Sequence, residues 1–393
     1  MPYFPPSQAA FIGPDTVDNT ILANVPASSV KGRGNFGTGD PQDLNMTQLA
    51  AMLQAGGIGS YVPLSYRNIL GRNGGCEVWQ RISSIGATLA ASGSMYAADG
   101  WFVACGANQL TNIAQGGSLA PGSRTSLSVS RNPGQTGTGL YWVEYPLDTD
   151  EIAFARSNFV TLSFLVYGGP NFSPTAGAFT ASLYVGTGAP ARRIMGAYAG
   201  ETAPFSKTFN AALNTVTPCI VTSTAIVPGN ATQASLVFQW APVGTAGAQD
   251  YIAFDDVQLE VGTFATPFER RPFESELQAC RRHFQKSFQY EIAPAQNTNQ
   301  PGYSVAPITA AGANTNFFTD VRLQPPLRVA PSVTFYNPAA ANGQVRNLNA
   351  GTDHSSTSAF VAGSSSFGIS SVGAAGSFVG QAMIVHWAAD AGI

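Results

Sequence analysis

Chemistry at neutral pH needs side chains that titrate, coordinate or attack, and this chain offers few of them in useful patterns. Its three histidines, His283, His354 and His386, are scattered, and neither HExxH nor GxSxG occurs. The cysteines Cys76, Cys105, Cys219 and Cys280 form no CxxC pair and fit no zinc spacing, so free, mostly buried thiols made in a reducing cytoplasm are expected. Lys31–Gly37 contains GxGxxG, but no strand pattern leads into it and no helix pattern opens from it, so a flexible linker is expected rather than a phosphate cradle. Glycoside cleavage needs two facing carboxyls, about 5 Å apart in retaining enzymes and about 6.5–9.5 Å in inverting ones. The local acids are Asp148, Asp150 and Glu151, in a turn after Tyr145-Pro146, and the neighbours Asp255 and Asp256. Adjacent strand residues point to opposite faces, so the latter two are not expected to act together. The reading is a protein that is not an enzyme.

Two groups of residues suit binding instead. Asp255 shares parity with Ala253, Val257, Leu259 and Val261, which places it on a core face. A buried carboxylate needs a hydrogen-bond network or a cation, and both remain open here. Aromatic rings can stack on sugar C–H faces. Trp79, Trp101, Trp142, Trp240 and Trp387 mostly fall on the apolar side of strand patterns and read as core. Tyr141, Tyr167, Tyr184 and Tyr198 fall on the opposite parity or in loops, so they are the candidate exposed glycan-binding rings.

The elements that must hold these residues are mainly β-strands. Val160, Leu162, Phe164 and Val166 alternate with Thr161, Ser163, Leu165 and Tyr167; Phe179–Val185 and Ser235–Trp240 alternate likewise. Turn clusters such as Gly168-Gly169-Pro170-Asn171 separate them. The pattern predicts a jelly-roll β-sandwich over 73–271. Residues 1–72, broken by prolines, read as an extended N-terminal segment with a short helical signal near Leu49, Met52 and Leu53. A linking helix is predicted over 272–288, with Glu274 and Glu276 early, Arg281, Arg282 and Lys286 late, and an apolar stripe of Leu277, Cys280, Phe284 and Phe288. That stripe is expected at an oligomer or domain junction. Residues 289–393 read as a smaller C-terminal β domain, with strands near 303–308, 316–323, 332–336 and 381–388 and a Gly/Ser-rich loop over 362–380.

Composition narrows the class. Only 10% of residues are charged, against about 25% in an ordinary globular domain, and the net charge is −3. A surface with so little charge suits a subunit with faces buried in an assembly. There is no basic block, so nucleic-acid binding is not implied, and no apolar run approaches the ~18 residues of a membrane span. The N-terminus has no positive and apolar regions of a secretion signal.

Three stretches together resemble tail-fibre and related virion proteins of tailed phages. They are Leu22–Leu53, with Ser28-Ser29-Val30-Lys31-Gly32 and Gly39-Asp40-Pro41-Gln42-Asp43-Leu44; Asn73–Arg81, followed by Asp99-Gly100-Trp101-Phe102-Val103; and Phe254–Gly262, running into Ala265–Arg271. The motif Pro331–Pro338 also recurs in C-terminal domains of this kind. Cys76 stands where an aromatic is usual, and no long fibrous repeat is present, so a short appendage is implied. The resemblance implies a sandwich like that of carbohydrate-binding modules, a homotrimer, attachment to other virion proteins through the N-terminal segment, assembly into the virion in the bacterial cytoplasm, and contact with host surface polysaccharide. It also implies a structural Ca²⁺ held by Glu77 and Asp255, with no other cofactor. The alternatives are a purely structural head fibre, decoration, collar or baseplate subunit, and a polysaccharide depolymerase.

Overall fold

A computed structural model describes residues 29–32, 42–45 and 67–392, apart from 83–86, 91 and 107–109. In the N-terminal unit, β1 (Ser29–Gly32) and β2 (Gln42–Asn45) pair antiparallel, with Val30 opposite Leu44. The predicted helix near Leu49 and most of the glycine-rich run lie outside the described residues.

The next part is a β-sandwich. Its strands are β3 (Ala87–Leu89), β4 (Ser94–Tyr96), β5 (Phe102–Cys105), β6 (Thr111–Gly116), β7 (Ser126–Arg131), β8 (Tyr141–Leu147), β9 (Val160–Gly168), β10 (Ala178–Gly186), β11 (Thr202–Asn210), β12 (Val216–Thr222), β13 (Gln233–Trp240) and β14 (Tyr251–Val261). A front sheet runs β11-β10-β13-β8-β5-β4 and a back sheet β12-β9-β14-β7-β6-β3, both antiparallel. The chain crosses between sheets at most connections, as a jelly roll does. The alternation predicted for 160–167, 179–185 and 235–240 is realised: Phe164, Phe179, Phe238 and Phe254 meet between the sheets, Phe238 stacked on Phe254 at 4.5 Å.

The sandwich begins before residue 73. Asn68 donates from Nδ2 to the Val257 carbonyl and accepts at Oδ1 from the Leu259 amide (3.0 and 3.1 Å), and Leu70 and Arg72 are fully buried. The stretches Asn73–Arg81 and Phe254–Gly262 meet here. The Val257 amide donates to the Gly74 carbonyl, and a Cβ on Gly74 would lie 2.4 Å from the Val257 carbonyl oxygen, so only glycine allows this approach.

The helix is shorter than predicted. Here α1 is the single turn Thr149–Ala153, and α2 spans Phe273–Arg281, with Pro272 just before it in extended geometry. Residues Phe284–Lys286 form β15, paired with β23 (Ala382–Asp390). Positions 284 and 288 lie four apart, which suits one helix face and one strand face equally, so the stripe could not tell the two apart. The partner strand, a hundred residues away, decided it.

The C-terminal part also contains β16 (Ser304–Pro307), β17 (Thr315–Arg322), β18 (Ser332–Tyr336), β19 (Arg346–Asn347), β20 (Thr352–Asp353), β21 (Ser355–Phe360) and β22 (Ser366–Val372). Strand β23 is its hub, pairing with β15, β16, β18 and β19, while β17-β22-β21 form a second sheet. Its own core holds Phe335, Phe367, Ile369, Met383, Val385 and Trp387. Strand β22 corrects the reading of 362–380 as loop. Phe367 and Ile369 reach the core, and Gly368 leaves room for the Phe360 ring, which a Cβ would meet at 2.3 Å.

Sandwich and C-terminal part pack together. Leu277 and Cys280 of α2 lie on Val78, flanked by Phe273 and Tyr290. The Arg81 guanidinium makes a two-pronged pair with Asp390 (2.5 and 3.0 Å) and lies between the rings of Tyr96 and Phe284 (3.8 and 4.1 Å). Phe288 stacks on His386 at 4.0 Å.

Candidate functional site

The outer face of the front sheet carries the arrangement best suited to a ligand. Cross-strand register places Ser206, Ser182, Val237, Glu144, Phe102 and Tyr96 in one row. The loop after β10 crosses this row and buries most of it. Glu144 anchors the loop: fully buried, it accepts from the Arg193 and Ile194 amides and from the Ser235 hydroxyl. Burial pushes its carboxyl above the usual range. The Arg192 guanidinium lies over Phe102 at 3.9 Å and Arg193 over Tyr184 at 4.7 Å.

The next row is open. Thr208, Thr180, Gln239 and Trp142 follow one another across β11, β10, β13 and β8. At ~4.8 Å per strand the row spans about 14 Å. Thr208 is exposed; Thr180, Gln239 and Trp142 are half-buried. Among the described residues, no hydrogen bond engages the indole N–H of Trp142 or the amide of Gln239. A flat aromatic face beside an uncommitted amide, with the Thr180 and Thr208 hydroxyls bonded to each other at 3.2 Å further along the row, can stack a pyranose ring and bond its hydroxyls. Reading Trp142 as core missed this. The signal was present: Trp142 is out of phase with Tyr141, Val143 and Tyr145, whose side chains fill the core.

The four tyrosines are not brought together. Tyr141 is fully buried, stacked on Trp240 at 5.3 Å, with its hydroxyl against Thr111. Tyr198 is buried too, its hydroxyl donating to the Ala191 carbonyl and meeting Ser235. Neither is the exposed ring expected, because each found a polar partner for its hydroxyl inside. Tyr184 lies on the front face beneath Arg193, and Tyr167 on the back sheet against Tyr251.

Asp255 is buried, but not on the core face. The register of β14 against β9 slips between Asp255 and Gln258, and Asp256 has φ +48°. This β-bulge reverses the parity: Ile252 and Phe254 face the core before it, Val257 and Leu259 after it. Asp255 lies under the 117–124 loop, where Oδ2 accepts from the Leu119 amide and the Ser123 hydroxyl (3.0 and 2.7 Å) and Oδ1 from the Asp256 amide (2.7 Å). Glu77 accepts from the Arg124 amide, with Arg270 3.5 Å away, and Arg270 grips both oxygens of Asp256 (2.8 and 2.7 Å). These residues do not fit a calcium ion: hydrogen-bond donors occupy the oxygens and a guanidinium supplies the positive charge. Among the described residues no group of three or more His, Cys, Asp or Glu is placed to hold a metal.

The remaining candidates serve the frame. Asp148 and Glu151 form a capping box on α1, and Glu151 pairs with buried Arg72 at 2.7 Å. All four cysteines are buried, and burial pushes the thiols of Cys76, Cys219 and Cys280 up. The three histidines are buried and pushed down by desolvation.

No protein-family model matches the chain, and no curated protein does. Among solved structures, the enzymatically active domain of bacteriophage CBA120 tailspike protein 4 is 14% identical, with a TM-score of 0.29 over 41% of this chain and 19% of that one. A carbohydrate-binding module of family 11 from Clostridium thermocellum, in complex with a β-1,3-1,4-mixed-linked tetrasaccharide, is 12% identical, with a TM-score of 0.27 over 47% of this chain and 100% of that one. A Stig cyclase from Fischerella sp. TAU is 14% identical, with a TM-score of 0.30 over 49% and 96%. This chain thus spans less than a fifth of the tailspike domain's length.

Proposed function

We propose that this protein is a non-enzymatic structural component of a tailed-phage virion, a short fibre- or spike-like appendage that assembles as a homotrimer and contacts host surface glycans. The virion part of this reading rests on the resemblance of the Leu22–Leu53, Asn73–Arg81 and Phe254–Arg271 stretches. The glycan part rests on one observation, the open row of Trp142, Gln239, Thr180 and Thr208. Stacking on one indole is weak, and three copies on one particle raise it through effective concentration.

A glycan array probed with the full chain tests the reading. Trp142→Ala should abolish binding to the neutral glycans that the parent retains, while leaving the melting temperature unchanged. Neutral-glycan binding that survives the substitution would overturn this assignment of the face, and no glycan retained by the parent would leave the purely structural virion subunit. Release of reducing ends from a bound polysaccharide would instead establish the depolymerase.

A further inference from the structure

A cavity of consistent chemistry lies away from the front face, where the sandwich and the C-terminal part converge. It has a volume of about 410 Å³ and is lined by Gln80, Arg281, Gln285, Lys286, Phe288, Tyr290, Arg322 and Gln324. Three of these carry positive charge and none carries negative charge. That is notable in a chain of net charge −3 with only 19 lysines and arginines.

The walls are fixed by side chains whose own polar groups are already engaged. Lys286 donates to the carbonyls of Gln80, Tyr290 and Ile292 (2.8, 2.8 and 2.7 Å), tying the sandwich to the segment after β15 and holding its charge at the wall. Its nearest countercharge is buried Asp99, which Gln80 Nε2 and Arg81 already engage. Gln285 donates to the Arg281 and Pro325 carbonyls and accepts from the Gln324 amide, so it fixes the segment after β17. Tyr290 accepts from the Trp79 amide. What remains uncommitted is cationic. Among the described residues no carboxylate lies within ion-pair distance of Arg281, and Arg322 meets only Asp320, 3.3 Å away and half-exposed. Two guanidiniums and a fixed ammonium lining one cavity, with the rings of Tyr290 and Phe288 also in its wall, suit a planar anion on a ring-sized body.

We infer that this cavity binds the carboxylate of an acidic sugar, with Arg281 and Arg322 gripping the anion and Gln324 reaching a ring hydroxyl. The site is separate from the Trp142 row and does not depend on it. The test is calorimetric titration of the full chain with two probes, trigalacturonate and sialyllactose, each beside its methyl ester. Saturable binding is expected for at least one acid and not for its ester. Arg281→Gln and Arg322→Gln should each weaken binding about tenfold or more, because each removes a charged hydrogen-bond donor. Trp142→Ala should leave it unchanged. The two acids distinguish a uronate from a sialate. Equal binding of acid and ester, no binding of either acid, or binding lost in Trp142→Ala but kept in Arg281→Gln would overturn the inference. Both arginines are at the surface of their elements, and unchanged melting temperatures for the variants separate lost binding from lost folding.

Discussion

Asp255, Asp256, Glu77 and Arg270 form a charged node at the bulge of β14 that hydrogen bonds and a guanidinium complete without a metal. EDTA is therefore expected to leave the melting temperature unchanged; a fall reversed by calcium would restore the cation. The node has a pH signature. Burial, and then the neighbouring Asp255 carboxylate, push Asp256 up to about 7. Between an ordinary aspartate value of about 3.9 and that pH, the folded chain holds a proton that the unfolded chain has released, so this group's stabilisation is lost as pH rises through the window. Asp256→Asn should shrink the stability difference between about pH 5 and about pH 8 by roughly 1–2 kcal/mol, measured by denaturant unfolding at both. An unchanged difference would show that Asp256 titrates normally. The burial of Asp255 was legible from its apolar neighbours. Its side of the sheet was not, because one extra residue in a bulge reverses parity without any local sequence mark.

At the scale of elements, the alternating runs became strands with the predicted facing, because a half-buried strand must segregate its side chains. The failures came where two periodicities coincide or where small residues hide a strand. Phe284 left the predicted helix for β15, and Phe367 and Ile369 emerged from a Gly/Ser-rich stretch as β22. Phe284 is 6% exposed and lies under Arg81. Phe284→Ala should therefore destabilise the chain by about 3–5 kcal/mol in chemical denaturation. Because its ring is spent inside one chain, the molar mass in solution should not change. A change of oligomeric state without loss of stability would return Phe284 to a subunit interface.

For the whole molecule, the junction between sandwich and C-terminal part is held by Arg81–Asp390, Lys286 and the α2 contacts rather than by a flexible tether. Asp390→Asn weakens the partner of a buried guanidinium. Since Asp390 is one-third exposed, a loss of about 1–2 kcal/mol is expected rather than the full cost of an orphaned buried charge. Native-state hydrogen exchange should show β15 and β23 opening before the sandwich strands; unaltered protection there would mean the pair contributes nothing. The proposed homotrimer predicts three chain masses, 122.7 kDa from 3 × 40.9 kDa, by light scattering. A monomer would remove the multivalency that the glycan reading uses.

The β-rich class, the sandwich with a smaller C-terminal β part, the buried cysteines and a helix expected from Pro272, one residue before its start at Phe273, were legible in the chain alone. All of these follow from local periodicity, turn chemistry and composition, which a chain carries wherever it folds. Only the tertiary structure decided where that helix ends, which face Asp255 takes, and that Trp142 rather than Tyr141 or Tyr198 presents an open ring. Those outcomes depend on partners distant along the chain: β23 capturing β15, the 117–124 loop closing over Asp255, and the loop after β10 covering one row of the front sheet while leaving the next uncovered.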